Sequence, residues 1–351
     1  MAKALAILAW FMLLVGTSLL AIKFVPFHAS FPYYDTDIAP YYERLAAIPA
    51  HFDGIHYLRL AEKGYDDDGS QAFFPLYPML IRVGTTLGLD PILVGLTINL
   101  LALAGLALLL PKRTVVFVLS HPASFFLLTL YTEAFFLFLL ALALKLVERE
   151  KLALAAIIIA LLSATRLVGI VMLVPLILRM WPRIKTLAYL VPVATSGLVT
   201  YMLYLWYIFG DPLKFAHVQP LFGAGRVGDS VILLPQVMYR YARMMVTVPT
   251  DTWLFWRSVL ELFTLVGVGY LLYHFRRRMS RDLWWYSLGV ILIPALSGTL
   301  SSMPRYILAA LPLISVFAES CNSKVYWFTV SFQVTLLVLF TTIFVSGQFV
   351  A

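Results

Sequence analysis

Residues 91–110 read PILVGLTINLLALAGLALLL. The stretch carries no charge. As an α-helix it reaches about 30 Å, the thickness of the hydrocarbon core of a bilayer. Runs of this kind recur along the chain. Working outward from 91–110, the apolar spacing predicts helical spans over 3–24, 114–129, 131–147, 151–165, 167–180, 185–209, 252–273, 283–300, 304–319 and 325–347, about eleven in all. The first run, Lys3 to Phe24, is long for a signal peptide and no small-x-small cleavage site follows it, so it reads as a retained span. The expected fold is an all-α polytopic bundle forming one transmembrane domain over 1–351.

Composition agrees. The chain is 62% hydrophobic and 13% charged, with a mean hydropathy of +0.89. A soluble domain carries about twice that charge fraction. The single cysteine, Cys321, excludes an internal disulfide and thiolate-built metal sites. The net charge of +8 would suggest nucleic acid in a soluble protein. Here the basic residues cluster between spans, so topology explains them and no nucleic-acid partner is expected.

With the N-terminus inside, the inner loops hold Lys112 and Arg113; Lys145, Arg149 and Lys151; Arg179, Arg183 and Lys185; Arg276, Arg277, Arg278 and Arg281; and Lys324. Their acids are few: Glu148, Glu150, Asp282 and Glu319. The positive-inside rule then fixes the orientation. Two outer segments, 25–90 and 210–250, are too long for turns and too rich in aromatics for disorder. Apolar spacing over 39–64 and 231–246 predicts short helices lying on the membrane surface.

The chemistry-bearing residues gather in these outer regions. His51-Phe52-Asp53-Gly54-Ile55-His56-Tyr57 places Asp53, His56 and Tyr57 on one helical face. A carboxyl group beside an apolar surface suits a general base, whereas an Asp before a helix also suits an N-cap. Asp66-Asp67-Asp68 reads as a solvated turn in preference to a cation site, because one loop rarely supplies converging ligands. Phe73-Phe74-Pro75-Leu76-Tyr77-Pro78 reads as a bent aromatic segment, either cavity lining or interfacial belt, whose two prolines disfavour a regular helix. Tyr131-Thr132-Glu133 and Arg166 sit at outer hairpins, where an ionisable group needs a partner or a polar pocket. Glu261, in mid-span, reads as a buried structural acid. Gly210-Asp211-Pro212-Leu213-Lys214-Phe215 opens the second outer segment, and His217, Gln219 and Arg226 follow it. Ser301-Ser302-Met303-Pro304-Arg305-Tyr306 reads as a helix start whose N–H groups and Arg305 make an anion site, with a snorkelling arginine as the plainer alternative.

Taken together, these motifs resemble the PIG-V family, the GPI mannosyltransferase 2 type. The resemblance rests on His51–Tyr65 with Phe73–Pro78, on His121-Pro122-Ala123-Ser124-Phe125-Phe126 with Tyr131-Thr132-Glu133, on Ala164-Thr165-Arg166, on Gly210-Asp211-Pro212-Leu213, and on Met303-Pro304-Arg305-Tyr306. It extends over most of the chain. It implies a GT-C architecture and transfer of mannose from a polyprenyl- or dolichyl-phosphate sugar to a lipid or glycan acceptor. Asp53 matches the family's loop carboxylate. Arg166 and Arg305 match basic positions, which are inferred to serve the lipid phosphate. Phe52 stands where the family usually has Trp, and His121 where it often has Asn; both bear on the acceptor more than on the reaction. The short chain suggests a prokaryotic relative in a plasma membrane, with its site on the outer face (the ER membrane if eukaryotic).

The expected catalytic residue is therefore Asp53. His56, Tyr57, Tyr77, Tyr131, Glu133, Arg166, His217, Arg305 and Tyr306 are expected to bind substrate. No cofactor or metal is expected, because arginines can take the charge of the leaving phosphate. The competing class is a transporter or flippase, in which Glu133, Glu261 and Arg166 would mark a pathway across the membrane.

Overall fold

A computed structural model describes residues 1–350, and all regular structure among them is helical. In chain order the α-helices are α1 (Ala2–Phe24), α2 (Arg44–Ala47), α3 (Asp53–Lys63), α4 (Leu76–Thr86), α5 (Pro91–Leu109), α6 (Lys112–Ser120), α7 (Glu133–Glu148), α8 (Leu152–Thr165), α9 (Leu173–Met180), α10 (Ile184–Phe209), α11 (Lys214–His217), α12 (Leu234–Thr247), α13 (Trp253–His274), α14 (Arg281–Ala295), α15 (Met303–Tyr306), α16 (Leu311–Ser320) and α17 (Ser323–Val345).

Five of them, α1, α5, α10, α13 and α17, are long and apolar enough to cross a membrane. The chain is thus a multi-pass integral membrane protein. Their ends follow sequence rules. Asp90 caps α5 by accepting the Leu93 N–H at 2.9 Å, with Pro91 in the first turn. Thr252 and Asn322 cap α13 and α17 in the same way.

The other expected spans are shorter or broken. The run 114–129 is α6, a break at His121-Pro122, and a 3-10 turn over Ser124–Leu128. Pro122 forces His121 out of helical geometry. The run 304–319 divides into α15, a 3-10 turn and α16, and 283–300 ends as helix at Ala295. Similarly, 167–180 opens as a 3-10 turn before α9. In contrast, Phe73–Pro78 is more regular than its prolines suggest. Pro75 precedes α4, and Pro78 sits in its first turn, where the missing N–H has no helical acceptor to lose.

The chain divides into two compact units. The first comprises residues 1–65, 75–141 and 318–350. At one of its ends Lys3 Nζ donates to the carbonyls of Ala107 and Leu110 (2.8 and 2.6 Å), so the start of α1 meets the end of α5. These are last-turn carbonyls with no helical donor. Arg113 reaches the Cys321 carbonyl at this same end, and Glu319 accepts both the Thr114 N–H and its hydroxyl. At the opposite end, His28 N–H donates to Ser346 O and Ser30 N–H to Gly347 O, tying the exit of α1 to the exit of α17. The basic end is the one the charge pattern assigns to the inside. The His51–Asp53 stretch lies at the other end, where His51 Nδ1 is 3.3 Å from Phe344 O.

The second unit comprises residues 66–74 and 142–317. Helices α8 and α10 touch at backbone distance, and a Cβ on Gly197 would stand 1.9 Å from Ala160 O. Arg179, near the end of α9, pairs with Asp282, near the start of α14 (2.6 Å). Residues 66–74 pack here. The Tyr201 hydroxyl donates to Gln71 O, and Phe74 lies against Tyr201 and Phe215.

Candidate functional site

Asp53 is the first residue of α3 and not its cap, which corrects the capping alternative. The preceding residue, Phe52, has φ 52° and ψ −116°, and no side chain caps the helix. A bulky residue at positive φ is strained, and such strain persists only where the surroundings hold it. Here they do. The Asp53 N–H donates to the Tyr131 hydroxyl (3.1 Å), which donates to His51 O (3.3 Å). Gly54 follows because a Cβ there would stand 2.8 Å from Pro49 O. Pro49 O also accepts the Leu130 N–H at 2.8 Å. The start of α3 is therefore fixed by its backbone, and Asp53 itself is only half-buried.

Behind Asp53 the packing is aromatic. His51 is fully buried among Phe27, Phe31, Tyr34, Phe52 and Phe344, with ring centroids 5.0–6.5 Å from its own. Burial lowers its pKa to about 4, so it stays neutral at physiological pH. On α3, His56 meets the Tyr33 ring edge-on at 6.0 Å, and Tyr57 meets Tyr77 at 5.3 Å. Asp53 and His56 are half-buried and Tyr57 is buried, so the expected face exists but turns partly inward.

Tyr77 and Tyr131 play structural parts in the fold. The Tyr77 hydroxyl donates to Gly95 O and accepts from Asn99 Nδ2, which also reaches the carbonyls of Thr129 and Tyr131. Sequence reasoning passed over Asn99, whose only signal was an amide inside an otherwise apolar span. Glu133 is buried as the first residue of α7. All these residues belong to the first unit.

Arg166, His217, Arg305 and Tyr306 belong to the second. Arg166 follows α8 in extended geometry, and Arg305 lies in α15. Both guanidinium carbons stand 5.6 Å from the centroid of the Tyr306 ring. The structure thus brings the two expected arginines to one aromatic residue. A ring shared by two cations also orients their donors, since a guanidinium keeps its in-plane N–H groups while its charge interacts with the π face. The helix-dipole argument for Arg305 does not survive. Helix α15 is a single turn, and Ser302 sits in left-handed geometry (φ 68°) without a capping bond. What remains for an anion is the pair of guanidinium groups.

His217 is exposed and paired with Asp211 at 2.7 Å. Burial raises the Asp211 carboxyl, but the hydrogen bonds from His217 and from the Leu213 backbone and the charges of His217 and Lys214 outweigh it, so it titrates below its ordinary value. This pair locks the turn into α11. Asp66–Asp68 form the solvated turn expected of them: Asp68 Oδ1 accepts the Ser70 N–H, Asp66 Oδ1 the Asp67 N–H, and Asp67 pairs with Lys214. Among the described residues no three His, Cys, Asp or Glu gather as metal ligands.

The Tyr241–Glu261 pair was invisible in the sequence. The Tyr241 hydroxyl donates to Glu261 Oε2 at 2.7 Å, across twenty residues of chain. Glu261 is indeed a buried acid in mid-helix, as expected.

The comparison with curated proteins gives no match, nor does that with solved structures. A family of known proteins does match part of the chain. The matched residues, 6–110, run from α1 through α5 and contain Asp53, His56, Tyr57 and Tyr77, whereas Tyr131, Glu133, Arg166, His217, Arg305 and Tyr306 lie beyond them. The resemblance read over most of the chain is therefore found over its N-terminal part, which is similar to the family described as mannosyltransferase (PIG-V).

Proposed function

We propose that this protein is a membrane glycosyltransferase of GT-C type. It moves mannose, or another hexose, from a polyprenyl- or dolichyl-phosphate donor to a lipid or glycan acceptor at the outer face. The observation that carries this reading is Asp53. It opens α3 from a strained Phe52, is pinned by Tyr131, and falls within the stretch similar to a mannosyltransferase family.

In the proposed reaction the Asp53 carboxylate takes the proton of the acceptor hydroxyl. The acceptor oxygen attacks the anomeric carbon opposite the phosphate, and the bond to the phosphate oxygen breaks. Inversion turns a β-linked phosphate donor into an α-glycoside. Charge grows on the leaving phosphate, and Arg166 and Arg305 are the groups proposed to stabilise it. Their common neighbour, Tyr306, supports that assignment.

The test is turnover by detergent-purified protein given radiolabelled polyprenyl-phosphate-mannose with a mixed lipid and glycan extract. Transfer of label by the wild type, lost in Asp53→Asn, supports the reading. Folded protein that transfers no label from any of several donor sugars overturns it.

A further inference from the structure

Arg305 is anchored by a chain of buried polar contacts, and each lands on the loop just before it. The loop 296–302 joins α14 to α15. Ser297 O accepts the Val227 N–H (2.9 Å) and Leu296 O the Ile232 N–H (3.0 Å). Gly298, at φ 93°, passes so close to Gly225 O and Ile232 that a Cβ would stand 3.2 Å from each, and its carbonyl accepts from Arg240 at 3.0 Å. Beyond it, Thr299 Oγ1 accepts the Ser301 N–H (3.1 Å) and lies 3.1 Å from the Tyr241 hydroxyl. That hydroxyl accepts the Leu300 N–H at 3.0 Å and donates to Glu261 Oε2. Leu300 O in turn accepts the Met303 N–H at 2.8 Å. Ser302 O in turn accepts the N–H groups of Arg305 and Tyr306 (2.9 and 3.1 Å).

The order of contacts is continuous from Glu261 to Arg305. Glu261 and Tyr241 are nearly inaccessible to solvent, at 2% and 3% exposed. A carboxyl group buried in an apolar helix is costly unless its neighbours use it. Arg257 stands 3.6 Å from Glu261 Oε1, too far for a hydrogen bond but close enough to offset charge. This arrangement exceeds what packing α12 on α13 requires, since an apolar pair would do that without burying an acid. Its particular effect is to hold Thr299 and Leu300, just before the single turn that bears Arg305.

We propose that Glu261 and Tyr241 are positioning residues for Arg305, holding the 299–302 loop so that the guanidinium is presented to the phosphate of a prenyl lipid, a diester in the sugar donor and a monoester once it has left. This rests on the proposed role of Arg305 in binding the donor phosphate.

The experiment measures binding of farnesyl phosphate to detergent-purified full-length protein, with thermal unfolding recorded for each variant. Arg305→Ala weakens binding by about tenfold or more. Glu261→Gln and Tyr241→Phe each weaken it by about threefold to tenfold. In the Arg305→Ala background the same two changes have no further effect, because they act through Arg305. If Glu261→Gln and Tyr241→Phe lower the Tm but leave binding by the folded protein unchanged while Arg305→Ala weakens it, the positioning role is overturned and the phosphate role of Arg305 stands. If all three weaken binding additively, the positioning role is overturned as well. If Arg305→Ala leaves binding intact, the phosphate role fails and the positioning proposal falls with it.

Discussion

The start of α3 and the loop before α15 hold their charged residues by opposite means. At α3 the chain is fixed through its backbone: Tyr131 bridges His51 O and the Asp53 N–H, and Pro49 O leaves room only for glycine at 54. The acid that follows is half-buried. Before α15 the chain is fixed by buried side chains, Tyr241 and Glu261, and the resulting arginine is itself only 9% exposed. An acid that exchanges a proton, as proposed for Asp53, needs a fixed backbone and an accessible carboxyl. A cation meant to meet a phosphate gains from a dry, pre-oriented setting.

The largest expected effect breaks this comparison if it is absent. Asp53→Asn keeps the helix start, because its contact to Tyr131 runs through the backbone, yet removes the proposed base. Turnover should fall by about a thousandfold while farnesyl phosphate binding changes by less than about threefold. A purified Asp53→Asn protein with near-normal turnover would remove Asp53 from the chemistry.

The aromatic packing behind α3 should make that region sensitive to acid. His51 titrates at about 4 when folded and at 6.5 when free. Between those values the unfolded chain holds the proton and the folded chain does not. Stability from this group is therefore complete above pH 6.5 and declines as pH falls toward 4, by up to about 3 kcal/mol. Thermal unfolding against pH should show this decline, and His51→Phe should flatten it. An equal decline in the variant would assign the acid sensitivity elsewhere.

Two substitutions sharpen the contrast between backbone and side-chain anchoring. Gly54→Ala forces its methyl group onto Pro49 O and should cost about 1–3 kcal/mol, read as a lowered Tm. Tyr131→Phe removes one hydroxyl from two buried backbone groups and should cost about 1 kcal/mol. It should also lower turnover more than it lowers donor affinity, because the change lies beside Asp53. The smallest effect is expected at His217. His217→Ala breaks an exposed ion pair and should shift stability by about 0.5 kcal/mol or less, with donor affinity unchanged. A large loss of donor affinity there would support His217 as a substrate contact.

Much of this protein was legible in its residues. Apolar length with few charges defined α1, α5, α10, α13 and α17, because a helix buried in lipid needs length and tolerates little charge; α13 alone holds an acid, Glu261, in mid-span. The clustering of Arg113, Arg183, Arg276–Arg278 and Lys324 beside their ends is the sequence's signal for the inner face. The i, i+3, i+4 spacing of Asp53, His56 and Tyr57 placed them on one helix, and α3 carries them. Local rules failed where two tendencies compete within a few residues. Pro78 looks like a breaker but occupies a first turn, and Ser302 looks like a cap but adopts left-handed geometry. The outcome in each case depends on contacts far along the chain.

The sequence by itself thus determined a helical membrane protein, its basic and acidic ends, and the residues able to do chemistry. Only the tertiary structure decided that Tyr131 holds the start of α3, that Arg166 and Arg305 share the ring of Tyr306, and that Glu261 meets Tyr241, which in turn holds Leu300. The physical reason is range. Helix length, capping and charge bias act within a few residues or at one membrane face, so they are written in neighbouring letters. Contacts between residues far apart along the chain depend on how helices pack, and no spacing along the chain encodes them.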